Sequence, residues 1–148
     1  MTQWRTDSLA SKSSSGDTLG SIRHRTPETV KLWLDDIRTP PDESWTWVRT
    51  VADAILLMKA GGVCEASLDH DLGVGDDGHE LPQGRTLVYW MAENDTWPTE
   101  ALSVHSANVI GVQYIVGMTE RYSPLVRVGA TTRFVKPDEP PLAPGSDA

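Results

Sequence analysis

The chain has 148 residues, enough for one domain with its own hydrophobic core and no need of disulfide or metal cross-links. Its net charge of −8 argues against a broad basic surface, so no duplex DNA partner is expected. A single cysteine excludes a disulfide framework within the chain, and no apolar run is long enough for a membrane span or a signal peptide. These features predict a cytoplasmic protein with no membrane contact.

The two ends of the chain differ in composition from its middle. Residues 1–29 are rich in Ser, Thr, Gly and Asp and have no sustained apolar period, which indicates a flexible arm. Residues 137–148 contain four prolines and no apolar pattern, which indicates a disordered tail. The folded domain is therefore expected over residues 30–136.

Strand and helix patterns alternate along this middle region. Helices are expected after Thr50, which has the spacing of a capping residue, after the Gly/Asp-rich loop that ends at Gly84, and after residues 105–108. Short apolar runs predict strands at 30–34, 45–49, 66–68 and 101–104, and residues 126–128 and 132–135 predict a last strand or a hairpin. This order favours an α/β fold: an open, mainly parallel sheet of four to five strands flanked by helices.

Acidic residues follow two of the predicted strands. Asp35 and Asp36 come directly after the first, and Asp69 and Asp71 follow the third. Ligands of open parallel sheets bind outside the carboxyl ends of the strands, and so many like charges are tolerable there only beside a cation. Carboxylate oxygens suit Mg²⁺ or Mn²⁺, so these four residues predict a metal site. Two alternatives stay open: one residue of the first pair caps the following loop, and Asp71 forms an Asx turn.

Polar residues also follow the fourth predicted strand. Ser106 or Asn108 is expected to cap the next helix, whose free N–H groups would suit a phosphate. His105 would then donate a proton to a leaving oxygen or contact the phosphate, although a structural role is an alternative. His70, between two acidic residues, is expected to point away from the pocket because strand side chains alternate between faces.

Three of these segments together resemble a known family. They are Leu32–Pro41 (LWLDDIRTPP), Ser67–Gly73 (SLDHDLG) and Val104–Asn108 (VHSAN), and they are similar to the cyclic-phosphate-processing receiver-like domain. That family is related to response-regulator receiver domains, so the resemblance implies a flavodoxin-like fold. It also implies processing of cyclic phosphates, for example the 2′,3′-cyclic phosphate at RNA ends.

The resemblance assigns roles to individual residues. Asp35 and Asp36 match the acidic pair that holds Mg²⁺ in receivers, and Asp69 matches the phospho-acceptor. Ser106 lies near the hydroxyl residue that ends the fourth strand, and Lys136 resembles the lysine before a proline at the end of the final strand.

The chain also departs from ordinary receivers. Residues 37–44 replace the first crossover helix, and too few residues follow Pro137 for the last helix. The surface that receivers use for output would therefore be missing or altered.

Together the residues predict metal-dependent, phosphoesterase-like processing of a cyclic phosphate, either the 2′,3′-cyclic phosphate of an RNA end or a cyclic nucleotide, so the expected partner is an RNA end or a phosphorylated small molecule. Asp69 would attack phosphorus or activate water, His105 would assist the leaving oxygen, and Ser106, Asn108 and Lys136 would bind phosphate. The alternatives are a phospho-accepting or ligand-sensing receiver that regulates a partner, and a metal-free module for a basic partner. Whether turnover or only phosphate capture occurs, and the oligomeric state, stay open.

Overall fold

The computed structural model of the protein describes residues 29–138. The predicted arm (1–29) and tail (137–148) therefore lie almost wholly outside the described residues. The strands are β1 (Val30–Leu34), β2 (Trp45–Val48), β3 (Val63–Leu68), β4 (Ala101–Val104), β5 (Val126–Arg127) and β6 (Arg133–Val135). The helices are α1 (Val51–Ala60), α2 (Gly84–Glu93) and α3 (Val109–Tyr122).

These strands form one sheet in the order β2-β1-β3-β4-β6-β5. β1 pairs in parallel with β2 and β3, and β3 pairs in parallel with β4. β6 is antiparallel to both β4 and β5. The predicted α/β, mainly parallel architecture is confirmed, but the sheet has six strands rather than four to five because residues 126–135 form a hairpin that adds two.

All three helices pack on one face of the sheet. The crossovers from β2 to β3 and from β3 to β4 run in the same direction, so right-handed connections place α1 and α2 on the same side. α2 in turn packs against both α1 and α3. The core between the helices and the sheet is built from fully buried side chains, among them Leu32, Leu34, Leu68, Leu87, Met91, Leu102, Ile115 and Phe134. In the described chain no helix lies between β1 and β2, in agreement with the predicted loss of the first crossover helix.

Side-chain caps begin two of the helices. The Thr50 hydroxyl accepts a hydrogen bond from the Asp53 N–H at 3.1 Å, as its spacing predicted. The Asn108 side chain accepts one from the Gly111 N–H at 2.8 Å, so Asn108 rather than Ser106 is the N-cap of α3. Within the described range, none of the helices is both long and apolar enough to span a bilayer.

The single cysteine gives a first testable prediction. Cys64 in β3 is partly exposed. Burial of part of the side chain is the main cause that raises its pKa. Because the thiolate is the reactive form, iodoacetamide at pH 8 is expected to alkylate the folded protein more slowly than the urea-unfolded chain. Equal rates, measured by mass spectrometry, would contradict this expectation.

Candidate functional site

The carboxyl ends of three neighbouring strands define the candidate site. β1, β3 and β4 lie side by side, and the backbone pairing continues one residue beyond each strand. The Asp69 N–H donates to the Leu34 carbonyl at 2.9 Å, and the His105 N–H donates to the Leu68 carbonyl at 2.8 Å. The sheet itself therefore holds Asp69 and His105 beside the end of β1, where Asp35 follows Leu34.

Three of the four predicted metal ligands come together here. Carboxylate oxygens of Asp35, Asp36 and Asp69 all lie within 4.8 Å of one another. Asp35 and Asp69 are 1% and 6% exposed, and Asp36 is half-buried. Gly73, with φ +84°, leaves room for this group, because a Cβ there would lie 2.9 Å from Asp36 Oδ2. A compact set of hard oxygen donors fits a Mg²⁺ or Mn²⁺ ion.

A cavity of about 340 Å³ adjoins these carboxylates. Its lining includes the three clustered aspartates together with Arg38, Asp71, Gly73 and Ser106. Acidic side chains thus form most of its charged surface. The space is large enough for a phosphate ester beside a cation.

Asp35 is tied to the loop that follows it. Its Oδ1 accepts hydrogen bonds from the N–H groups of Ile37 and Arg38, both at 2.8 Å. Burial acts to raise the pKa of Asp35, but these bonds and the one from His105 outweigh it and hold the pKa below its usual value. Asp35 is therefore ionised, and the loop-capping alternative holds for one of its two oxygens.

For Asp69 the effects that raise the pKa outweigh those that lower it. Burial is the main cause that raises its pKa, and the charge of Asp35 adds to this effect. Hydrogen bonds from the Ser106 hydroxyl and from the His70 N–H, the latter at 2.8 Å, act against the rise. Ser106, predicted as a phosphate ligand, thus lines the cavity and contacts Asp69. A nearby cation would favour the ionised form of Asp69.

Both ring nitrogens of His105 are engaged. Nε2 lies 2.9 Å from Asp35 Oδ2, and Nδ1 lies 2.7 Å from the Ser67 hydroxyl. The ring also stacks on Trp33, with centroids 4.0 Å apart and planes 10° from parallel. Burial lowers the pKa of His105 although Asp35 opposes this effect, so the ring is assigned as neutral with the proton on Nε2. His105 is therefore a partner of Asp35 and does not line the cavity.

Ser67 and Trp33 were not predicted from the sequence as parts of this arrangement. Each lies two residues before a strand-end aspartate, on the same face of its strand. Period-two spacing back from Asp35 and Asp69 was the signal that could have found them.

Asp71 lies at the edge of the carboxylate group. It lines the cavity but is not one of the three clustered ligands. Its Oδ1 accepts hydrogen bonds from His70 Nδ1 at 2.8 Å and from Asn108 Nδ2 at 2.9 Å, and these two bonds, the first being the larger cause, lower its pKa. Asn108 is thereby occupied at both ends of its amide. The His70 ring is buried and contacts Gly111 of α3, on the helix side of the sheet.

Lys136 does not reach this site. Its contacts are with Glu100, the residue just before β4. The Lys136 N–H donates to the Glu100 carbonyl at 2.8 Å, and its Nζ lies 3.5 Å from Glu100 Oε2. β6 runs antiparallel to β4, so the residue after β6 lies at the amino end of the parallel strands rather than at their carboxyl end. The prediction that Lys136 binds phosphate in this site is therefore wrong.

Arg38 lies between the ends of β1 and β3, a position not predicted from the sequence. Its Nε lies 3.5 Å from Asp35 Oδ2, and its Nη2 lies 3.9 Å from Asp69 Oδ1. Among the residues lining the cavity in the described part of the chain, Arg38 alone is basic. Its position two residues after the acidic pair was visible, but nothing in the local pattern showed that it would face both strand ends.

Comparison with known proteins adds one match. Residues 30–121 match a family model described as cyclic-phosphate processing Receiver domain. The matched range runs from the start of β1 nearly to the end of α3, so it contains the three clustered aspartates but not the β5–β6 hairpin. No curated protein and no solved structure matches the chain.

Proposed function

The chain belongs to the cyclic-phosphate processing receiver domain family, and we propose that its acidic cavity hydrolyses a cyclic phosphate with the help of a divalent cation. The observation that carries this proposal is the convergence of Asp35, Asp36 and Asp69, whose carboxylate oxygens lie within 4.8 Å of one another beside the cavity. The ring strain of a five-membered cyclic phosphate makes its opening less demanding than cleavage of a plain diester.

Asp35, Asp36 and Asp69 would hold Mg²⁺ or Mn²⁺ in this cavity. Such an ion would polarise the phosphoryl oxygens and neutralise the charge that develops on them. Asp71, at the edge of the group, would accept hydrogen bonds from the ion's water ligands. The Ser106 hydroxyl would orient Asp69 and lie close to the bound phosphate.

Asp69 is the best candidate for the proton transfers. Its carboxylate lines the cavity beside the other two clustered aspartates, where an attacking water would lie. It would take a proton from the attacking water as the new P–O bond forms. The P–O bond to one ribose oxygen then breaks, and Asp69 returns the proton to that oxygen, which leaves a phosphomonoester beside a free hydroxyl.

His105 acts differently from the sequence prediction in this scheme. Its two ring nitrogens are hydrogen-bonded to Asp35 and Ser67, so it lacks a free proton to give to a leaving oxygen. We propose that it holds Asp35 in the orientation that the cation requires.

The direct test is a reaction with a nucleoside 2′,3′-cyclic phosphate and with an RNA oligonucleotide that ends in one, followed by ³¹P NMR. Conversion of the cyclic phosphate to a monoester is expected with Mg²⁺ or Mn²⁺ and not with EDTA. Linear phosphodiesters serve as the control substrate and should react far more slowly. Absence of conversion with any divalent metal would refute the proposed hydrolysis.

A phospho-accepting receiver is the second candidate function. The position of Asp69, which matches the receiver phospho-acceptor and contacts Ser106, favours it. The distant position of Lys136 and the lack of a helix between β1 and β2 weigh against it. Acetyl phosphate followed by intact-mass measurement separates the two: a phosphate stably added to Asp69 supports the switch, and an unchanged mass in a protein that converts the cyclic phosphate to a monoester supports the enzyme.

A further inference from the structure

The charge balance of the cavity leaves a phosphate with few positive partners. Three carboxylates cluster there, and Lys136, the basic residue that the receiver-like pattern predicted, lies at the opposite edge of the sheet. Arg38 is the basic side chain among the lining residues. Among the lining side chains, an anion that enters therefore finds positive charge at the Arg38 guanidinium, and otherwise at a bound cation.

The two contacts of the Arg38 guanidinium are long. Charge-assisted N–H···O bonds are usually about 2.7–2.9 Å, whereas the distances to Asp35 and Asp69 are 3.5 and 3.9 Å. The side chain is also 56% exposed, so solvent weakens both ion pairs. The guanidinium thus neutralises part of the acidic charge without being locked to it.

The backbone of Arg38, in contrast, is fixed on both sides. Its N–H donates to Asp35 Oδ1 at 2.8 Å, and its carbonyl accepts a hydrogen bond from Trp33 Nε1 at 2.8 Å. The Cα of Arg38 is therefore anchored beside the site while its guanidinium lies in solvent at the cavity mouth. Such a side chain can turn without rearrangement of the loop.

We propose that Arg38 is an exchangeable cation of the site: it neutralises Asp35 and Asp69 before metal binds, and it contacts the phosphate of the substrate afterwards. This inference rests on the proposed function. The planar guanidinium can donate two parallel hydrogen bonds to a phosphate, which the carboxylates cannot do. One residue thereby competes with the metal and cooperates with it in binding the anion.

This double role predicts that loss of the guanidinium changes the metal affinity and the phosphate affinity in opposite directions. Arg38→Ala removes a competitor for the carboxylates, so the affinity for Mg²⁺ or Mn²⁺ is expected to rise by about two- to fivefold. The same change removes charge-assisted hydrogen bonds to the anion, so the affinity for phosphate at saturating metal is expected to fall by roughly tenfold or more. Arg38→Lys keeps the positive charge but loses the planar pair of N–H donors. The metal affinity of this variant should therefore stay near that of the wild type, while its phosphate affinity falls.

Isothermal titration of the full chain at constant ionic strength measures both quantities, first with the metal alone and then with inorganic phosphate on the metal-saturated protein. Arg85→Ala is the matched control, since that guanidinium lies over the Tyr114 ring at 4.8 Å, outside the cavity. Weaker metal binding by Arg38→Ala, or unchanged phosphate binding, would overturn the inference while the proposed function survives. Failure of the wild type to bind any divalent metal would instead remove both.

Discussion

Asp69→Asn is expected to abolish metal-dependent turnover of a cyclic phosphate, by about a thousandfold or more, while the protein stays folded. The substitution keeps the shape of a side chain that is 6% exposed but removes a charged metal ligand and the proton acceptor together. Mg²⁺ affinity should fall by at least about tenfold for the same reason.

The stability of this variant gives the prediction a second, independent readout. Burial raises the pKa of Asp69, so its ionised form is less favourable in the folded protein than in the unfolded chain. A neutral asparagine removes this penalty and the repulsion from Asp35. The melting temperature of Asp69→Asn is therefore expected to equal or exceed that of the wild type in metal-free buffer.

Asp77→Asn is the control for both measurements, because that carboxylate is exposed in the loop before α2 and does not line the cavity. It should change neither turnover nor melting temperature. Retention of turnover in Asp69→Asn would exclude Asp69 from the chemistry. A marked loss of stability would instead show that its role is structural.

Gly84→Ala is expected to lower the free energy of unfolding by about 3 kcal/mol, near the upper end of what overpacking produces. Gly84 is the first residue of α2, and its N–H donates to the His70 carbonyl at 2.7 Å. A Cβ at this position would lie 2.1 Å from the Asp69 carbonyl oxygen and 3.1 Å from the His70 Cα. These are backbone atoms held by the sheet, so either the helix or the end of β3 must move.

Urea unfolding followed by circular dichroism measures this change. Gly117→Ala is the matched control: Gly117 is exposed in α3, and a Cβ there would meet nothing within 4 Å. That variant should be more stable than the wild type by about 0.5–1 kcal/mol because alanine restricts the unfolded chain. If Gly84→Ala unfolds within about 0.5 kcal/mol of the wild type, the close approach of α2 to the end of β3 is not what fixes this region.

The features that depend on local pattern could be predicted from the sequence. The apolar run of β1 ends at Asp35, and the rule that parallel strands share a carboxyl edge brought Asp35, Asp36 and Asp69 into one predicted site. Thr50 was recognisable as a helix cap because capping needs only residues close in sequence. The helix cap needs only a short segment, and the shared carboxyl edge needs only that the strands be parallel.

The features that depend on pairing across the sheet could not be predicted in this way. Lys136 and Pro137 look like the end of a parallel final strand, but the direction of β6 is set by its pairing with β4 and β5. The contacts of His105 with Ser67 and Trp33 likewise join three strands, and the order of those strands in the sheet cannot be read from any short segment of sequence. The position of Arg38 depends on two backbone hydrogen bonds that no spacing rule encodes: its N–H donates to Asp35, and its carbonyl accepts from Trp33 Nε1.

The two ends of the described chain leave the sheet on the side away from the cavity. The Val30 N–H donates to the Gly62 carbonyl just before β3, and the Lys136 N–H donates to the Glu100 carbonyl just before β4. β1 and β6 are three positions apart in the sheet, so these exits are separated by about 14 Å, three strand spacings. The fold is thus suited to use as a module within a longer polypeptide: a domain fused at either exit would be joined at the amino edge of the parallel strands and leave the mouth of the acidic cavity open.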